Sequence, residues 1–121
     1  MVGALFDTNI LIDNLNAVRQ AREEIGRFEN RAISIITWME VMVGAKADLI
    51  EPTRHFLEGF RIIPLDDEIA TRAVDLRRSH RIKLPDAVIW ATAQITGRLL
   101  VTRNTKDFPP GDAGIREPYT L

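Results

Sequence analysis

The chain alternates short apolar runs with longer amphipathic stretches, and this alternation restricts its possible folds more than any other feature. Val2–Phe6, Ala32–Ile36, Arg61–Leu65 and Leu99–Val101 are brief and largely aliphatic or β-branched, which is the signature of buried strands. The segments between them have helical spacing. Leu15, Val18, Ala21, Ile25 and Phe28 share one face of a predicted helix over Asn14–Phe28, with Arg19, Arg22, Glu23 and Arg27 on its wet side. Further helices are expected from Thr37 to about Ala47, over Thr53–Phe60 behind Pro52, from Asp66 to Ser79, and from Pro85 to Thr96, where Gly97 stops the last. Alternating strands and helices form parallel βαβ units. The expected fold is therefore α/β, a short-stranded, mainly parallel central sheet flanked by helices, with Ile115–Tyr119 as a last edge strand. With no repeat, low-complexity segment or linker in 121 residues, 1–121 reads as one domain.

Composition narrows the chemistry. There is no cysteine, which removes disulfides, thiolate metal sites and cysteine nucleophiles. Met1 to Phe6 carries neither a basic region nor a long apolar segment, and no apolar run is long enough to span a bilayer. The expectation is a cytoplasmic protein with no membrane partner. The net charge of −1 does not by itself mark a nucleic-acid binder. Thirteen of the 16 basic residues are Arg, the side chain better suited to bidentate phosphate contacts.

The informative residues are acids in apolar surroundings. Most of the 17 acidic residues, among them Glu23, Glu24, Asp48 and Asp75, sit in polar stretches and read as solvated. Asp13 likewise reads as an exposed helix residue. Asp7, Glu40 and Asp86 differ: their flanks are Ala-Leu-Phe/Thr-Asn-Ile, Ile-Thr-Trp-Met/Val-Met-Val and Leu-Pro/Ala-Val-Ile-Trp. A lone buried carboxylate costs several kcal/mol or more unless it is paired, hydrogen-bonded or metal-bound. One such acid could be a helix cap; three call for a common explanation. Asp7 ends the first strand, Asp86 opens a helix, and Glu40 lies on the first turns of the helix leaving the second strand. The 102–107 segment follows the fourth strand. The topology brings these positions to one carboxyl edge of the sheet, where open α/β sheets bind ligands. Thr37, Glu40 and Gly44 fall on one helix face, and Gly44 is expected to let a neighbour pack beside Glu40.

Carboxylates without convergent His or Cys favour hard cations such as Mg²⁺ or Mn²⁺. Such a site suits phosphodiester hydrolysis by a metal-activated water. The basic run Arg77, Arg78, Arg81 and Lys83 leads into Asp86, so Arg78, Arg81 and Lys83, together with Arg103, are candidate phosphate contacts. Thr8 and Thr102 are candidates for hydrogen bonds that orient the carboxylates.

Four motifs, Leu-Phe-Asp-Thr-Asn-Ile-Leu-Ile-Asp (5–13), Ile-Thr-Trp-Met-Glu-Val-Met-Val-Gly (36–44), Leu-Pro-Asp-Ala-Val-Ile-Trp-Ala-Thr-Ala (84–93) and Leu-Val-Thr-Arg-Asn-Thr-Lys-Asp-Phe (100–108), resemble in order and spacing those of PIN-domain nucleases. The likeness is to the VapC-type toxins of toxin–antitoxin pairs. The resemblance implies a PIN-like three-layer fold over the whole chain and an endoribonuclease of Mg²⁺ or Mn²⁺ dependence. It further implies a homodimer inhibited by a cognate antitoxin, a higher assembly with that antitoxin, and operator DNA contacted only through the antitoxin. Carried over residue by residue, it makes Asp7, Glu40 and Asp86 metal ligands. Asn104 stands where many relatives carry Asp, and Asp107 is the nearest acid, so the resemblance leaves the fourth position between these two, with Asp107 the candidate ligand and Asn104 the candidate orienting neighbour. A catalytically weak or inactive PIN-like protein-binding module is the alternative. A phospho-receiver domain would want a second acid beside Asp7, and an aspartyl phosphatase would want Asp at position 9, where this chain has Asn.

Overall fold

The computed structural model describes residues 2–121 and contains β1 (Ala4–Phe6), α1 (Thr8–Leu15), α2 (Arg19–Gly26), β2 (Arg31–Ser34), α3 (Ile35–Gly44), α4 (Ile50–Leu57), β3 (Arg61–Ile63), α5 (Asp67–His80), α6 (Leu84–Ile95), β4 (Leu99–Val101) and β5 (Ile115–Arg116). A short 3₁₀ turn, Ala47–Leu49, leads into α4. The five strands lie in the order β3-β2-β1-β4-β5, and neighbouring strands pair in parallel. The expected parallel α/β architecture is borne out.

β1 is the centre of the sheet, and its alternation divides the interior. Ala4 and Phe6 face one core with Ile10, Leu11, Ile33, Val41 and Leu57. Leu5 faces the other, with Ile69, Ala73, Ile89, Trp90, Leu100 and Phe108. Helices α1–α4 thus cover one face and α5–α6 the other, which is the three-layer arrangement a doubly covered parallel sheet requires. The chain reverses direction across the sheet at β1, which pairs with β2 on one side and β4 on the other. That reversal opens a crevice beyond the carboxyl ends of β1 and β4. Among the described residues, no helix is long and apolar enough to cross a membrane.

Several sequence expectations are corrected. The helix over Asn14–Phe28 is two helices, because Ala17 adopts φ 63° and breaks the register between α1 and α2. The second strand ends at Ser34 rather than Ile36. The Ser34 side chain accepts from Ile36 N at 3.1 Å and starts α3 two residues earlier than expected. The last strand comprises only Ile115–Arg116. Glu24, read as solvated, is 3% exposed because Arg116 on β5 binds it bidentately at 2.5 and 3.0 Å. The position where a Cβ would stand on Gly44 has nothing within 4 Å, so this glycine admits no close neighbour.

The break at Ala17 yields a stability prediction. A non-glycine residue in the left-handed region costs about 1 kcal/mol or more, and Ala17 is exposed, so its methyl group packs on little. After the entropy that glycine adds to the unfolded chain, Ala17→Gly should raise Tm by about 2–4 °C in thermal unfolding. A lower Tm would show that the unfolded-chain term outweighs the relieved backbone.

Candidate active site

Asp7 immediately follows β1, and its backbone N–H donates to Val101 O of β4 at 2.9 Å. This places its side chain at the head of the crevice, 4% exposed. One carboxylate oxygen accepts from Thr8 N at 2.7 Å, so Asp7 is also the N-cap of α1. The other accepts from Thr102 Oγ1 at 2.7 Å and Asn9 Nδ2 at 3.1 Å. These donors favour the ionised form, yet burial outweighs them. Burial, with added repulsion from Asp86 and Glu40, raises the Asp7 pKa from 3.8 to about 6.

The other acids gather around it. Asp86 is in the first turn of α6, behind Pro85. Its pKa is also raised, by burial first and then by Asp107 and Glu40, against the opposing pull of Lys83. Asp7 thus feels Asp86 and Glu40, and Asp86 feels Asp107 and Glu40, which links the acids at this edge of the sheet. Glu40 departs from expectation: it is exposed on α3 rather than buried. Thr8 Oγ1 donates to its Oε1 at 2.7 Å and lies 3.1 Å from Oγ1 of the fully buried Thr37. Thr8 thus joins α1 to α3 across the crevice. Asn104 and Asp107 bond reciprocally, Asn104 Nδ2 to Asp107 Oδ2 at 3.0 Å and Asp107 N to Asn104 Oδ1 at 3.2 Å.

The open cleft, of about 360 Å³, is lined by Asp7, Glu40, Asp86 and Asn104, with Asp13 and Arg103 at one side. Arg78, Arg81 and Lys83 are exposed and lie outside this lining, although Lys83 acts on Asp86. Arg103 lines the cleft, but its Nε and Nη2 donate to Asp13 at 2.6 and 3.0 Å. Asp13 is accordingly 6% exposed, not a wet helix residue. Its spacing of three from buried Ile10 was the available signal. Sequence reasoning also left out Tyr119, whose hydroxyl donates to Asp13 at 2.8 Å. Asn9 also takes part, its Nδ2 reaching across to Thr102 Oγ1 at 3.2 Å.

The donor set consists entirely of oxygen, as a hard divalent cation requires. Among the described residues, no group of three or more Asp, Glu or His side chains is gathered closely enough to hold a metal by itself.

The PIN domain family matches residues 4–109 of this sequence. The chain belongs to the PIN domain family. Ribonuclease VapC10 of Mycobacterium tuberculosis is 34% identical to it over 113 residues, covering 87% of this chain and 85% of that protein. A chain in a toxin–antitoxin complex from Klebsiella pneumoniae has a TM-score of 0.93 and 50% identity, covering 98% of this PIN chain and 100% of its own length. DNA-bound VapBC from Salmonella typhimurium contains a chain with a TM-score of 0.76 and 26% identity, covering 96% of each. The likeness to VapC-type toxins thus extends from four motifs to the whole PIN fold.

The raised pKa of Asp7 makes a sign-definite prediction for the metal-free protein. The folded state holds this proton up to about pH 6, whereas the unfolded chain releases it near 3.8. The group's contribution is therefore fully present below the unfolded value and lost as pH rises through about 6, an effect on the order of 3 kcal/mol. Asp7→Asn imitates the protonated acid at every pH. In chelator, the Tm of the variant minus that of wild type should grow between pH 4 and pH 8; a flat difference would refute the assigned burial effect.

Proposed function

We propose that this chain is a Mg²⁺- or Mn²⁺-dependent endoribonuclease and the toxin of a type II toxin–antitoxin pair. The observation that carries the reading is the convergence of the Asp7, Glu40 and Asp86 carboxylates on one cleft at the β1/β4 crevice, where Asp86 and Glu40 add to the raised pKa of Asp7. Asp7, Glu40 and Asp86 line one open cleft and Asp107 lies close enough to act on Asp86, so carboxylates gathered in this way lower their energy by sharing a cation. Asp7, Glu40 and Asp86 would hold the ion, with Asp107 as the fourth acid and Asn104 orienting it through their reciprocal hydrogen bonds. When bound, the ion acidifies a water and neutralises charge on the scissile phosphate. Thr102 and Asn9 hold Asp7 from one side, and Thr8 holds Glu40 from the other. Thr8 and Thr102 thereby fix carboxylate orientation before substrate arrives.

Ribonuclease and toxin follow from the relatives, VapC10 and the Klebsiella complex. The complexes in which similar chains are found, one of them DNA-bound, support an antitoxin partner, and in this reading operator DNA is reached only through that antitoxin. A homodimer is part of the same reading. Arg78, Arg81 and Lys83, exposed around the turn from α5 into α6, supply the phosphate contacts for RNA approaching Asp86. Arg103 is assigned to Asp13 rather than to RNA, because two of its donors are already engaged there.

Asp7→Asn and Asp86→Asn should each lower Mn²⁺-dependent RNA cleavage by at least about 100-fold while circular dichroism stays unchanged. Full activity in either variant would remove the site assignment, and activity in chelator would remove the metal. Asp107→Ala should cost more activity than Asn104→Ala; the reverse order would move the fourth position to Asn104. Expression of the wild-type chain alone should slow bacterial growth, and expression of Asp7→Asn should not.

A further inference from the structure

Two arginine–carboxylate bridges in this fold have nearly the same geometry. Arg103 Nε and Nη2 donate to Asp13 at 2.6 and 3.0 Å. Arg116 Nε and Nη2 donate to Glu24 at 2.5 and 3.0 Å. Both carboxylates are buried, and both arginines are about one-third exposed. Their connections differ. The Glu24 bridge ties α2 to β5, has Arg27 as its further partner at 3.3 Å, and touches no acid of the cleft.

The Asp13 bridge continues directly into the acid cluster. Arg103 sits between Thr102 and Asn104, and its backbone N–H donates to Asn9 Oδ1 at 3.2 Å. Asn9 in turn donates to Asp7 and Thr102. Thr102 Oγ1 donates to Asp7 at 2.7 Å and accepts from Asn104 N at 2.9 Å, while Asn104 bonds Asp107. The turn held by Arg103 therefore carries contacts to two of the four acids. Asp13 is largely committed: one oxygen accepts from Arg103 Nη2, the other from Arg103 Nε and from Tyr119 Oη at 2.8 Å, and the guanidinium offsets its charge. This is why an acid that lines the cleft does not join the cluster.

We propose that Arg103, Asp13 and Tyr119 form a positioning lock that fastens the 102–107 turn to α1, fixing Asp7 against Asp107 and setting the affinity for the divalent cation. The lock rests on the metal-dependent reading above. None of the three touches reacting atoms; they act through Asn9, Thr102 and Asn104. A bidentate guanidinium admits one orientation of the turn, whereas an ammonium at the same place makes a single, rotatable contact. Tyr119 makes the C-terminal segment part of the site's support, because its hydroxyl donates to the same Asp13 oxygen that accepts from Arg103 Nε.

The matched bridges supply the control. Mn²⁺ binding to the full chain, without RNA, is measured by titration calorimetry for wild type, Arg103→Lys, Tyr119→Phe and Arg116→Lys, with Tm recorded for each. Arg103→Lys should weaken Mn²⁺ binding by about 10–100-fold, the range seen when groups behind metal ligands are altered. Tyr119→Phe, which removes one hydroxyl and keeps the ring, should weaken it several-fold with little change in Tm. Arg116→Lys should lower Tm but leave the Mn²⁺ Kd within about twofold. Wild-type affinity in both Arg103→Lys and Tyr119→Phe would overturn the lock. So would an equal loss in Arg116→Lys, which would mean that any weakened bridge has the same effect. A wild-type chain that binds no Mn²⁺ would overturn the metal reading itself, and the lock with it.

Discussion

The burial of the Asp7 carboxylate between the ends of β1 and β4 is the constraint on which this end of the molecule depends. Its backbone extends the pairing with Val101, its side chain caps α1, and its second oxygen gathers Thr102 and Asn9. A buried anion must be solvated by protein when water is excluded. Here three donors from two separate segments of chain supply that solvation, and supplying it fixes the start of α1 and the turn after β4 relative to each other. Asp107 lies in that same turn after β4, while Glu40 comes from α3, held to α1 through Thr8, and Asp86 from α6.

Charge is distributed in a second way that bears on function. The chain is close to neutral, so long-range attraction cannot bring a polyanion to an acidic cleft. Arg103 and Arg116 are committed to buried carboxylates and serve the scaffold. That leaves Arg78, Arg81 and Lys83 as an exposed basic group on the sequence leading into Asp86. Breaking either buried bridge would strand a carboxylate away from water, a loss of several kcal/mol, which explains why both arginines bind bidentately rather than loosely.

Much of this was legible in the residues. The strand positions followed from short apolar runs, since a strand covered on both faces leaves little room for polar side chains. Asp7 and Asp86 stood out because their neighbours were apolar and their own burial would be costly. Glu40 stood out for the same reason but is exposed: Met39 and Val43 beside it are also exposed, at 51% and 86%. Apolar flanks report the composition of a surface as readily as that of a core. Asp13 and Glu24 failed in the opposite direction. Glu24 occurs among polar residues and Asp13 closes the apolar run Ile10-Leu11-Ile12, and for each only a partner about 90 residues away in the chain makes burial possible.

By itself, the sequence determined the alternating parallel α/β plan, the helix starts near Asp66 and Pro85, and three of the acids that line the cleft, Asp7, Glu40 and Asp86. Local pattern suffices for these, because strand period, capping and φ restriction act over a few residues. The tertiary structure alone decided that α1 and α2 are separate, that Asn9 and Thr102 converge on one carboxylate, and that Arg103 faces Asp13 rather than the solvent. Those outcomes depend on β1 lying beside β4 across some 95 residues of chain, and no local propensity encodes which distant donor will solvate a buried charge.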